Sequence, residues 1–192
     1  MIETKIEIRK RIRALRDAAP AEQRAEWSRR ICERALQLPA YRAAQTIHIF
    51  LSFQSEIDTQ AIIEDALHAG KRVVAPVFMK DSNETPATQI TSLDDSEFTF
   101  GKWNLRTPKM LRLVPTEAID FVFVPMVAYS PLLLGEGWVR VGYGAGFYDL
   151  FLSRLRAGVP KIGLAFSLQR VDHIPIESHD VLLDDVITEI QT

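Results

Sequence analysis

A single α/β domain, built as three layers with a mostly parallel central sheet flanked by helices, is the fold this 192-residue sequence predicts. Three observations carry the prediction. A strand, helix, strand succession spans Thr46 to Phe78, and such a unit requires parallel strands joined by a right-handed crossover. Asp120–Val127 is an almost unbroken apolar run, as expected of a strand covered on both faces. Composition agrees: 47% of residues are apolar, 25% are charged, and a chain this long buries roughly 70% of its unfolded surface, enough for a core without staples. The reading is one domain over residues 1–192, with no internal repeat, linker or low-complexity tract.

Taken in order, Ile8, Ile12 and Leu15 recur at helical spacing from Lys5 to Arg16 and mark a buried stripe on a basic helix. Pro20 suits the first turn of a second helix that runs to about Leu38, where Pro39 stops it. Thr46–Leu51 reads as a strand, Asp58 as the N-cap of a helix ending at Gly70, and Arg72–Phe78 as a second strand. Residues 80–118 are polar and irregular, with a hairpin expected near Ile90–Phe100. Beyond the central strand, where Pro125 places the strand end at the sheet's rim, come a helix from Phe147 to Ala157 and strands at Lys161–Phe166 and Asp185–Ile190.

Several classes are set aside by composition. One cysteine, Cys32, permits no internal disulfide, and neither it nor the four histidines have the spacing of a structural metal site. The longest apolar stretch, Phe121–Tyr129, falls short of a membrane span, and no signal-peptide core follows the N-terminus, so the expected setting is cytoplasmic with no membrane partner. Charge is uneven although it sums to −2: residues 1–34 hold ten Lys or Arg against six acids, whereas Val171 onward holds six acids and no Lys or Arg. The ends can attract each other or serve different parts of one site.

Five of the nine glycines lie between Gly135 and Gly146. Gly142, Gly144 and Gly146 alternate with Tyr143 and Ala145 immediately before the predicted helix that begins Phe147-Tyr148-Asp149, so unshielded backbone N–H groups can cradle a phosphate. Arg140 supplies a charge-assisted clamp, and Asp149 either holds Mg²⁺ or complements the helix dipole. The loop is neither a dinucleotide G-x-G-x-x-G fingerprint nor a P-loop. By itself it reads equally as a mobile turn before an amphipathic helix.

Other segments fall in line with this loop. Lys5-x-x-x-Arg9, Ser55-Glu56-Ile57-Asp58-Thr59, Val124-Pro125, the Arg140–Asp149 loop, Ile162–Phe166 and His179-Asp180 through Glu189 together resemble the 5-formyltetrahydrofolate cyclo-ligase family, from near the N-terminus to the C-terminus. The resemblance implies an ATP- and Mg²⁺-dependent ligase of one-carbon metabolism that converts 5-formyltetrahydrofolate to 5,10-methenyltetrahydrofolate with release of ADP and phosphate. It further implies attack of the formyl oxygen on the γ-phosphate, then attack of N10 on the formyl carbon. Arg140 and Asp149 are then the catalytic residues, with Asp149 the metal ligand. Lys5, Arg9, Arg140, Gly142, Tyr143, Gly144, Ala145, Gly146, Phe147 and Tyr148 form the ATP site, and Glu56 with Tyr148 contacts the folate. Asp180, Asp184 and Asp185 either approach the cation-rich site and assist a metal or, the favoured reading, cap the last strand and keep the surface soluble; His173 and His179 likewise read as structural or solvating.

The sequence departs from the family pattern at Thr107, which stands in place of an acid, at Ser130, at Leu150 and in the longer, apolar turn 131–138 with its three consecutive leucines. Two other readings follow from these features. One is a divergent paralog that binds ATP but acts on another small molecule. The other is a nucleic-acid-binding module using the basic N-terminal helix, which the pI near 6.1 and the interleaved acids oppose. The expected state is a monomer or weak homo-oligomer.

Overall fold

A computed structural model describes residues 3–77, 85–100 and 106–190. Its frame is a mixed, mostly parallel seven-stranded sheet. In chain order the helices are α1 (Lys5–Ala18), α2 (Ala21–Ala35), α3 (Pro39–Ala43), α4 (Gln60–His68) and α5 (Phe147–Ser153). The strands are β1 (Thr46–His48), β2 (Arg72–Pro76), β3 (Ala87–Ile90), β4 (Phe98–Phe100), β5 (Arg106–Pro108), β6 (Leu113–Val114), β7 (Phe121–Pro125), β8 (Ala128–Pro131), β9 (Trp138–Val141), β10 (Lys161–Leu164) and β11 (Asp185–Ile187).

The main sheet runs β11-β10-β7-β1-β2-β3-β6. Parallel pairing joins β11 through β2, with β1 in register against both β2 and β7, while β3 pairs antiparallel with β2 and β6. From β1 the chain goes outward to β2 on one side and to β7, β10 and β11 on the other. The strand order therefore reverses beside β1, and the crevice past the carboxyl ends of β1 and β7 is where such a sheet receives ligands. Every residue of β7 is buried, as its apolar run requires.

One face of the sheet is covered by α2, α3 and α4, with Ile31, Tyr41, Ile62 and Ile63 packed against Ile47, Phe121 and Phe123. The other is covered by α5, whose Phe151 and Leu152 meet Val122 and Val124. Helix α1 lies on neither. Its Ile8 and Ile12 pack on Val139 and Val141 of the β8–β9 hairpin and on Val171 and Ile174. Thr4 caps α1 reciprocally with Glu7.

Several expectations are corrected. The α1 stripe closes with Arg16 rather than Leu15: Leu15 is half exposed, whereas Arg16 is almost fully buried because Ser55 and Tyr143 supply partners for its guanidinium. Helix α2 ends at Ala35, and Pro39, instead of only stopping a helix, starts α3. The residue preceding α4 is Thr59; Asp58 still serves the helix start, because its Oδ1 accepts the Gln60 N–H at 3.0 Å. Helix α5 is four residues shorter than expected. The strands at 46–51, 161–166 and 185–190 stop at His48, Leu164 and Ile187, and β2 stops at Pro76; Phe78 lies outside the described residues. No hairpin joins Ile90 to Phe100: β3 adds to the main sheet, and β4 pairs with β5. The apolar turn 131–138 is the end of a regular hairpin, with Pro131 opposite Trp138, that leaves Leu133 and Leu134 exposed at its tip. Among the described residues no helix is long and apolar enough to cross a membrane.

Candidate active site

At the strand-order reversal lies a cavity of about 410 Å³. Phe50, Leu51, Phe53 and Glu56 line it from beyond β1, Pro125 from the end of β7, and the whole run Arg140–Asp149 from β9, the glycine loop and the start of α5. Lys5 and Arg9 enter from α1, and Glu177, His179 and Asp180 from the C-terminal segment. The residues singled out from sequence thus come together in one place. Lys5 and Arg140, 135 positions apart, face the same space.

The glycine loop follows from its sequence. Gly144 has φ +101°, a conformation that side chains rarely adopt, and Gly146 has φ +67° directly before α5. A Cβ on Gly144 would also meet the Arg9 guanidinium at about 3.4 Å. Arg9 lies against the loop because α1 is pressed onto the β8–β9 hairpin by Ile8 and Ile12, and its Nε donates to the Gly142 carbonyl at 2.8 Å.

Arg140 projects from β9 with only 3% of its side chain exposed. It donates to Asp149 Oδ1 at 2.7 Å and to the Val181 carbonyl at 2.6 Å. Burial lowers its pKa, and the Asp149 carboxylate offsets only part of that shift. Val181 N–H also donates to Asp149 Oδ1, at 3.2 Å. Both bonds fall on one carboxylate oxygen.

Lys5 donates to both oxygens of Asp180, at 2.6 and 2.8 Å, and to Glu177 at 2.7 Å. Burial pulls its pKa down, but the two carboxylates outweigh this and leave it raised. Asp180 and Glu177 therefore line the cavity, the less favoured of the two sequence readings of Asp180. His179 joins them, one ligand atom from each of the three lying within 4.8 Å of the others. Asp184 keeps its structural place, accepting the Lys161 N–H at 2.7 Å.

Glu56 sits in a tight turn in which its Oε2 accepts the Phe53 N–H at 2.9 Å, with Gln54 at φ +53° between them. Burial raises its carboxyl pKa, against the pull of Tyr143, Arg16 and the Phe53 amide. Tyr143 spans from the glycine loop to this turn: its hydroxyl accepts from Arg16 at 3.0 Å and faces the Glu56 carboxylate. The Tyr148 ring lines the cavity, but its hydroxyl is buried with no hydrogen-bond partner among the described residues.

Sequence reasoning missed Arg16, Glu177 and Arg106, all of which touch this site or its wall. For Arg16 a signal was present: Lys5, Arg9 and Arg16, at spacings of four and seven, share one helix face. Arg106, paired with Asp95 at 2.7 Å, had none.

The 5-formyltetrahydrofolate cyclo-ligase family model matches residues 1–189. A probable 5-formyltetrahydrofolate cyclo-ligase of Caenorhabditis elegans is 31% identical over 202 residues, covering 99% of this chain and 95% of the relative. The 5-formyltetrahydrofolate cyclo-ligase of Escherichia coli K12 is 32% identical over 183 residues, covering 92% and 96%. In three dimensions the chain is similar to the solved 5,10-methenyltetrahydrofolate synthetase of Aquifex aeolicus, with a TM-score of 0.80, 26% identity and coverage of 97% and 90%.

Proposed function

Because the chain belongs to the 5-formyltetrahydrofolate cyclo-ligase family, whose members use ATP, we propose that it closes 5-formyltetrahydrofolate to 5,10-methenyltetrahydrofolate, releasing ADP and phosphate. The observation that carries the proposal is convergence. Cations from α1 and β9, the glycine-loop amides and the carboxylates of Asp149, Glu177 and Asp180 surround one cavity that also holds Glu56. Phosphoryl transfer demands chiefly positioning and charge neutralisation, and this is a wall suited to both.

In this reading Arg9, Lys5 and Arg140 neutralise the triphosphate, and the Gly142–Gly146 backbone lies against it without side chains in the way. The folate's pterin N–H groups donate to Glu56, which sets the formyl oxygen against the γ-phosphate. That oxygen attacks phosphorus and ADP leaves; N10 then attacks the formyl carbon, and phosphate departs with the oxygen. No protein nucleophile takes part. Tyr148 packs where the two ligands meet.

A hard divalent cation fits the donor set. Asp149 has committed Oδ1 to Arg140 and Val181, and Asp180 and Glu177 face the same cavity. Oxygen donors of this kind suit Mg²⁺ arriving with the nucleotide. When bound, the ion would offset charge on the transferring phosphoryl group. Asp149 would hold it.

The test is a spectrophotometric assay of the purified protein with ATP, Mg²⁺ and 5-formyltetrahydrofolate, following methenyltetrahydrofolate absorbance. ATP-dependent product, lost in Asp149→Ala, is the expected result. Retained ATP binding without product at high enzyme concentration would refute the proposal and favour a paralog acting on another substrate.

A further inference from the structure

Tyr143 stands out within the glycine loop. A phosphate cradle needs bare backbone, yet the residue between Gly142 and Gly144 is a large aromatic. Its hydroxyl leaves the cradle altogether, reaching Arg16 at 3.0 Å and Glu56. Its ring is flanked by the guanidinium groups of Arg13 and Arg16, each 5.8 Å from the ring centre. Arg16 in turn donates to Ser55 Oγ at 3.0 Å, beside Glu56 in the same turn, and Ser55 donates to Asp17. Three separated segments, namely α1, the turn after β1 and the glycine loop, thus meet at one phenolic oxygen.

We propose that Tyr143 is a positioning residue that couples folate binding to ATP binding, a role resting on the assignment above of Glu56 to the folate and the loop to the nucleotide. A carboxylate offers about four acceptor sites on its two oxygens. The Phe53 N–H uses one of them and the Tyr143 O–H faces the same carboxylate, which leaves room for pterin N–H donors without displacing either. A pterin on Glu56 fixes the carboxylate in its charged, acceptor-only form. The Tyr143 O–H is then held toward it, and the loop residue carrying that side chain loses freedom. Arg9 already holds the neighbouring Gly142 carbonyl. With both anchors engaged, the loop's ordering cost is met before ATP arrives, so ATP binds more tightly. Reciprocity requires ATP to tighten folate by the same factor.

The experiment is titration calorimetry with a non-hydrolysable ATP analogue and Mg²⁺, in the absence and presence of saturating 5-formyltetrahydrofolate, on wild type and Tyr143→Phe. Phenylalanine keeps the ring between the arginines and removes the hydroxyl alone. In wild type the folate should tighten the analogue by about 5-fold or more, the lower end of ordinary coupling between sites. In Tyr143→Phe the ratio should fall to about one, whatever the change in the affinity of either ligand alone. A merely structural role would weaken both titrations together and leave the ratio intact, which would overturn the proposal. A wild-type ratio of one with both ligands bound would overturn it too, while leaving the cyclo-ligase assignment standing. Failure of wild type to bind the folate at all would remove both.

Discussion

His48 supplies the sharpest test of how this fold responds to acid. It is fully buried at the end of β1, its ring centroid is 4.3 Å from that of Phe151, and neither ring nitrogen has a partner among the described residues. Burial alone lowers its pKa from 6.5 to about 3. In the unfolded chain the imidazole gains a proton below pH 6.5, whereas the folded form stays neutral until about pH 3. Its contribution is therefore present above pH 6.5 and is lost as pH falls toward the folded value. Between about pH 7.5 and pH 5 the loss amounts to roughly 1.5 pH units times 1.36 kcal/mol, about 2 kcal/mol. His48→Phe retains the contact with Phe151 and cannot titrate. Urea unfolding of both proteins at the two pH values should show wild type losing about 2 kcal/mol more than the variant. Equal losses would mean that the imidazole is protonated in the fold, and the argument from burial would fail.

Four further outcomes are expected. Glu56→Gln should melt higher than wild type near neutral pH, because a carboxyl whose folded pKa is raised loses stability as pH rises through that value; the gap should vanish in acid, and folate affinity should fall. Asp149→Asn should abolish turnover and cost about 3 kcal/mol in urea unfolding, since it leaves the Arg140 charge buried without its counter-ion. Gly163→Ala, in β10, should destabilise by about 1–3 kcal/mol, because the new methyl would lie 2.3 Å from Met126 Cε and 2.9 Å from Leu183 Cδ1; thermal unfolding reads it. Gly144→Ala should weaken ATP-analogue binding by at least about tenfold with a smaller effect on folate, through strained backbone and the contact with Arg9.

Much of this was legible from residue order because local rules and tertiary context agreed. The apolar run around Phe123 fits a covered strand, and two of the alternating glycines, Gly144 and Gly146, do stand where the backbone is left-handed. Arg16 shows where pattern reading stops. Leu15 and Arg16 both lie within a turn of the Ile8 and Ile12 stripe, and hydropathy chooses the leucine. The fold chooses the arginine, since Ser55 and Tyr143 satisfy it, and those partners are 39 and 127 residues distant. Asp180 shows the same limit: an acid in such a segment is usually solvated, and only the placement of Lys5 makes this one part of a wall. The hairpin at 131–138 is obscured by its leucines and its one proline, which read as a turn until Pro131 and Trp138 are paired.

The Lys5–Asp180 bridge joins residues 175 positions apart, and the helix carrying Lys5 rests on the β8–β9 hairpin instead of the main sheet. During synthesis the sheet's centre can assemble while the cavity still lacks its acidic wall, so competence arrives only after the segment bearing Asp180 has emerged. The reverse order applies on denaturation. Helix α1 can detach with the sheet's hydrogen bonds untouched, taking Lys5, Arg9 and Arg16 away together. Loss of nucleotide binding then precedes loss of strand structure.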